Sequence, residues 1–143
     1  MPNRISVSVP VAAAVEAVWE AILDFESRSQ YAPRIQKVRL PDGKPLREGS
    51  RIELQIGRRH LTPEVTSIDP ATHQLELSFT GPGFRSNHIY AVTGADDGAS
   101  VTIAAEHGGA IGAFVAFLRP GSIRRDLGVE ANAIKEQAED VRK

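Results

Sequence analysis

The last third of the chain, residues 110–141, constrains everything before it. It opens with nine apolar or small residues, Ala110-Ile111-Gly112-Ala113-Phe114-Val115-Ala116-Phe117-Leu118. Beyond Pro120-Gly121 the apolar residues fall at Ile123, Leu127, Ala131, Ile134, Ala138 and Val141, in steps of four, four, three, four and three. That spacing keeps one stripe on one side of an α-helix. Arg124, Arg125, Glu130, Lys135, Glu136 and Glu139 take other positions and read as its solvated face. A stripe this long needs a cover from upstream, and what lies upstream reads mostly as strands.

Ile5, Val7, Val9 and Val11 alternate with Ser6, Ser8 and Pro10, which predicts a strand with one buried face. Pro10 has no N–H for a ladder, so this strand belongs at an edge or near its own end. Val15, Val18, Trp19, Ile22 and Leu23 sit at helical spacing, and the helix begins near Ala13 or Ala14 with a weak cap. Asp24 to Gln30 reads as a second short helix or turn, ended by Tyr31-Ala32-Pro33. Strands follow at Ile35–Leu40 and Ser50–Ile56. Gly57-Arg58 is a turn that sets Ile56 opposite Arg59 and Leu54 opposite Leu61. Leu61, Pro63 and Val65 then share a buried face.

The Asp69-Pro70-Ala71-Thr72 turn leads into Leu75, Leu77 and Phe79. A four-residue turn puts Glu64 on the face of Leu77, and a five-residue loop puts Val65 there. The second is favoured because it agrees with the preceding hairpin. Phe84, Ser86, His88, Tyr90 and Val92 make one face of the next strand. Pairing Ala95 with Gly98 sets Val92 opposite Val101, Tyr90 opposite Ile103, His88 opposite Ala105 and Ser86 opposite His107. The order is strand, two short helices, six strands and a long helix, an α+β arrangement. At 143 residues the expectation is one domain covering 1–143.

Bulk properties exclude several classes. A net charge of −1, with Lys and Arg dispersed, argues against nucleic-acid binding. The absence of cysteine removes disulfides, thiolate metal sites and cysteine nucleophiles. The four histidines show no metal-ligand spacing, and no phosphate loop, dinucleotide fingerprint or nucleophile elbow occurs, so no metal and no cofactor is expected. The N-terminus has no secretory h-region, and the longest apolar run is about half a membrane span. The expectation is a cytoplasmic protein without stable membrane insertion. Oligomeric state is not legible.

The chain resembles the START-related, birch-pollen-allergen-like superfamily (SRPBCC), and within it the polyketide cyclase/dehydrase-like proteins. The features are Val18-Trp19 with Asp24 five residues later, Tyr31-Ala32-Pro33 before the second strand, and Glu48-Gly49-Ser50 entering the third. Asp69-Pro70 at a hairpin and Gly98-Ala99-Ser100-Val101-Thr102 entering the seventh strand complete the set. The resemblance implies a helix-grip fold: a curved seven-stranded antiparallel sheet wrapped around the C-terminal helix, with a pocket between them. Two departures are Pro120-Gly121, which interrupts the helical region, and Gly128 in mid-helix.

A bent sheet and a straight helix leave a gap that large side chains or a ligand must fill. Five Phe, two Tyr and one Trp are few for the task. The expected cavity walls are Leu54, Leu75, Leu77, Phe79, Tyr90, Ile103, Phe114, Phe117 and Leu127, enclosing a volume at the low end of the usual ~300–1,000 Å³ range. His88 and His107 are diagonal neighbours on one face, with Tyr90 beside them, and could serve a ligand carbonyl or act as acid and base. Arg58-Arg59-His60 reads as a solvated hairpin tip.

Three functional readings follow. The first is a protein that binds a small hydrophobic ligand (lipid, isoprenoid, polyketide or aromatic). The second is a cyclase/dehydrase-type enzyme using His88, Tyr90 and His107. The third is an accessory protein whose Ala110–Leu118 segment meets a partner or a membrane surface.

Overall fold

The computed structural model describes residues 3–81, 84–108 and 120–141. Strand β1 (Asn3–Val11) is followed by helices α1 (Val15–Leu23) and α2 (Phe25–Arg28). Strands β2 (Ile35–Arg39), β3 (Glu53–Ile56), β4 (Arg59–Leu61), β5 (Glu64–Asp69), β6 (Gln74–Gly81), β7 (Phe84–Ala95) and β8 (Gly98–Gly108) come next. Helix α3 (Pro120–Val141) closes the chain. The fold is α+β and helix-grip-like.

The strands do not form the single seven-stranded sheet implied by the resemblance. Among the described residues there are two antiparallel sheets, ordered β1-β8-β7-β6-β5 and β2-β3-β4. The strand expected across 59–65 is cut in two at Thr62-Pro63. Proline has no N–H, so the ladder loses a rung there. Pro63 still accepts from the Ile52 amide at 3.0 Å, and the Val65 amide donates to the Ser50 carbonyl at 2.8 Å. An isolated bridge between Arg51 and Glu64 joins the two sheets at the same place.

The hairpin over residues 70–73 corrects the expected loop length. Asp69 pairs with Gln74, which leaves a four-residue turn. Left alone, that turn would aim Glu64 at the core. A bulge between Val65 and Ser67 shifts the register by one and sets Val65 opposite Leu77. Val65 is fully buried as a result and Glu64 is exposed. The other registers fall as their alternation requires: Leu54 faces Leu61, Val92 faces Val101, Tyr90 faces Ile103 and Ser86 faces His107. β1, which carries Pro10, lies at a sheet edge.

Helix α1 starts after Ala14 with no side-chain cap. Asp24 ends it and caps α2, accepting from the Ser27 amide at 3.3 Å and the Ser27 hydroxyl at 2.7 Å. Pro120 is the first described residue of α3. Leu127, Ala131, Ile134 and Ala138 are buried, and α3 packs on β1, α1, β8 and α2. The core joins this stripe to Val18 and Ile22 of α1 and to Leu75, Val92, Val101 and Ile103 of the larger sheet. Gly98 lets the end of β1 approach the last hairpin closely: at φ +146°, a Cβ there would lie 2.3 Å from the Val11 carbonyl oxygen. The Ala110–Leu118 segment lies outside the described residues, as does any helical turn preceding Pro120.

Candidate functional site

Between α3 and the inner faces of the two sheets the core is incomplete. A cavity of about 300 Å³ remains. Its apolar wall is made by Leu54, Ile56, Leu61, Leu77, Phe79 and Leu127. Polar groups enter from β7 and β8 through Ser86, His88, Tyr90 and His107, and from α3 through Asp126 and Glu130. Strand alternation explains the first set, because positions 86, 88 and 90 share one face.

Seven of the residues expected at the cavity line it: Leu54, Leu77, Phe79, His88, Tyr90, His107 and Leu127. Leu75 and Ile103 are wholly buried in the adjoining core and do not line it. Phe114 and Phe117 lie outside the described residues. Arg59, read as part of a solvated tip, is exposed yet reaches the cavity rim.

The centre of the polar wall was not anticipated. Arg28 of α2 is 0 % exposed. Its Nη1 donates to Glu130 Oε2 at 3.0 Å, and its Nε donates to Gln137 Oε1 at 3.0 Å. Its Nη2 donates to the carbonyls of Ala21 and Ile22 at 2.9 and 2.8 Å. Both carbonyls lie in the last turn of α1, where that of Ala21 also accepts from the Asp24 amide at 3.3 Å, so the guanidinium caps one helix while binding another. The guanidinium also lies over the Phe25 ring, 4.7 Å from its centroid. Gln137 completes the join by donating from Nε2 to the Asp24 carbonyl at 3.0 Å.

Glu130 reads from the sequence as part of the solvated face, but its side chain is only 19 % exposed. Its Oε2 accepts from the Tyr90 hydroxyl at 2.8 Å as well as from Arg28. The signal was available in the helical spacing. Glu130 stands three residues after Leu127 and seven after Ile123, and Gln137 stands three after Ile134, so both belong to the inner face. Arg28 carried no comparable signal.

This arrangement sets the protonation states. Burial raises the Tyr90 phenol well above its ordinary value, and the Glu130 charge raises it further against the opposing pull of Arg28. Tyr90 is therefore a neutral donor whose proton is directed at Glu130. Burial lowers His88; Glu130 works against that shift, and His107 adds to it. The His88 imidazole is thus biased to its neutral form, in ring contact with Phe79 at 4.7 Å between centroids. At the mouth, Arg34 and Asp126 form an exposed ion pair at 3.3 Å. Among the described residues no group of three His, Cys, Asp or Glu could hold a metal ion. No helix among them is long and apolar enough to cross a membrane.

Solved structures of similar shape are numerous. A Streptomyces aromatase/cyclase superposes with a TM-score of 0.78 at 16% identity, over 100% of this chain and 97% of that one. A norcoclaurine synthase from Thalictrum flavum, in complex with a transition-state analogue, gives 0.80 at 12% identity over 100% and 98%. A protein from Thermobifida fusca gives 0.78 at 21% identity over 95% and 93%. These likenesses establish the fold. No match is found among curated protein sequences. Residues 2–139 match the family described as polyketide cyclase / dehydrase and lipid transport. By that match, the chain belongs to this family, within the START-related, birch-pollen-allergen-like superfamily.

Proposed function

We propose that the protein binds a small hydrophobic molecule in the cavity between α3 and the sheets. The observation that carries this reading is the cavity itself. About 300 Å³ is left open beneath a mainly apolar wall, where close-packed side chains would otherwise fill the space. The family's description, which joins cyclases with lipid transport, supports the same reading. Native mass spectrometry of the purified protein, with organic extraction of what it carries, tests it directly. A retained apolar compound, and thermal stabilisation when that compound is added back, is the expected result. A protein that carries nothing and is stabilised by no apolar compound overturns the proposal.

A second reading is favoured by one feature of the same cavity. A neutral imidazole, His88, and a phenol hydrogen-bonded to a carboxylate, Tyr90 with Glu130, stand on its wall. Together with His107 these groups suit acid–base work on an enolisable ketone, the chemistry of a cyclase or dehydrase. This reading predicts turnover of an oxo-substituted substrate, with a rate that depends on pH and falls when His88 is replaced. Binding without turnover across such substrates leaves the container reading alone.

A further inference from the structure

Two polar atoms on β7 are buried with no hydrogen-bond partner among the described residues: the Ser86 hydroxyl and Nδ1 of His88. Ser86 is only 2 % exposed. Both residues line the cavity. Standing two apart on one strand, they face the same way and are roughly 7 Å apart along it. A buried polar atom without a partner is costly, and alanine at position 86 would avoid the cost without disturbing the strand. Their shared place on the cavity wall points to a partner that comes from the cavity.

The charges nearby restrict what that partner is. Arg28 is paired with Glu130 and Arg34 with Asp126. Arg59, on β4, is exposed and stands at the cavity rim, whereas Ser86 is only 2 % exposed. His88 is biased to its neutral form by burial. A carboxylate held against the buried Ser86 hydroxyl would therefore be desolvated while the lining arginine without a carboxylate partner among the described residues, Arg59, stands exposed at the rim. A pure hydrocarbon would leave both atoms unpaired. A hydroxyl both donates and accepts, and Nδ1 of a neutral imidazole does one or the other according to tautomer, so each suits an uncharged oxygen.

We infer that Ser86 and His88 form a polar subsite for an uncharged carbonyl or hydroxyl oxygen on an otherwise apolar ligand. This rests on the container reading and adds to it which functional group the ligand carries and where that group sits.

The test uses three probes of one shape: naphthalene, 2-naphthol and 2-naphthoate, with affinities measured by calorimetry on the intact chain. The wild-type protein should bind 2-naphthol at least about tenfold more tightly than either of the others, the penalty for one buried polar group left unpaired. Ser86→Ala should lose most of that preference while binding naphthalene as well as before. Without ligand, the same variant should melt at a higher temperature than the wild type, because it discards an unpartnered hydroxyl. His88→Phe should lose the preference in the same way. Equal binding of naphthalene and 2-naphthol overturns the subsite and leaves the container standing, as does tighter binding of 2-naphthoate. A lower melting temperature for ligand-free Ser86→Ala also overturns it, since the hydroxyl then has a structural partner. Failure of all three probes to bind overturns the subsite, and the container falls with it when the purified protein also carries no apolar compound.

Discussion

Replacing Arg28 with methionine should be among the most damaging single changes available to this protein. The guanidinium is completely buried and donates to four acceptors at 2.8–3.0 Å: Glu130, Gln137 and the carbonyls of Ala21 and Ile22. Methionine fills much of the space but donates nothing. The Glu130 carboxylate then keeps only Tyr90, and the Ile22 carbonyl and Gln137 Oε1 have no remaining partner among the described residues. Breaking a buried ion pair from one side costs about 3–5 kcal/mol. Because Glu130 is 19 % exposed, water partly relieves it, and the lower half of that range, about 3–4 kcal/mol, is expected. For a chain of this length that is a fall in Tm of roughly 10 °C. Arg28→Lys should recover little, because an ammonium has three donors and no planar fork. Urea denaturation followed by Trp19 fluorescence supplies the measurement, and pairing Arg28→Met with Glu130→Gln closes a double-mutant cycle. The double variant should be more stable than the sum of its parts by more than about 1 kcal/mol. A loss below about 1 kcal/mol for Arg28→Met, or strict additivity in the cycle, would refute the claim that this network ties α1 to α3.

Two glycines should respond in opposite directions in the same assay. Gly98→Ala places a Cβ 2.3 Å from the Val11 carbonyl oxygen at φ +146°, and should cost about 2–4 kcal/mol. Gly128→Ala meets nothing within 4 Å among the described residues and should gain about 1 kcal/mol from helix propensity, so a loss there would show the glycine to be required. His88 should titrate below its ordinary 6.5 in ring NMR spectra. A lowered histidine resists the proton in the folded state, so its contribution to stability is intact above pH 6.5 and declines as the pH falls through the folded value; a midpoint at or above 6.5 would contradict its burial. The Arg51 guanidinium, with help from its own amide, holds the Asp42 carboxyl down to about 2 from 3.8. Its stabilising effect is complete above pH 3.8 and disappears as the pH falls toward 2, so thermal scans of Asp42→Asn should show a shallower loss over that window than the wild type.

From the order of the residues alone, the faces of most elements were legible. Alternation at Ser86, His88 and Tyr90 aims these residues at one side of β7, and the β7–β8 register follows from matching it to Val101, Ile103 and Ala105. The stripe Leu127, Ala131, Ile134 and Ala138 marks the buried side of α3. Such patterns can be read because period and burial are local: each residue's face depends on its neighbours in the chain. Three features depended on the assembled fold. The sheet divides at Pro63, where a strand pattern continues but a donor is missing. The bulge beside Thr66 gives the inner face to Val65, a choice between registers that turn length alone would have assigned to Glu64. The third is the polar wall of the cavity. A charged residue is read as solvated unless its counter-charge is in view, and the partner of Arg28 is Glu130, 102 positions away along the chain. Burying that guanidinium is tolerable only where Glu130, Gln137 and the end of α1 converge on it, and only the tertiary structure brings them there.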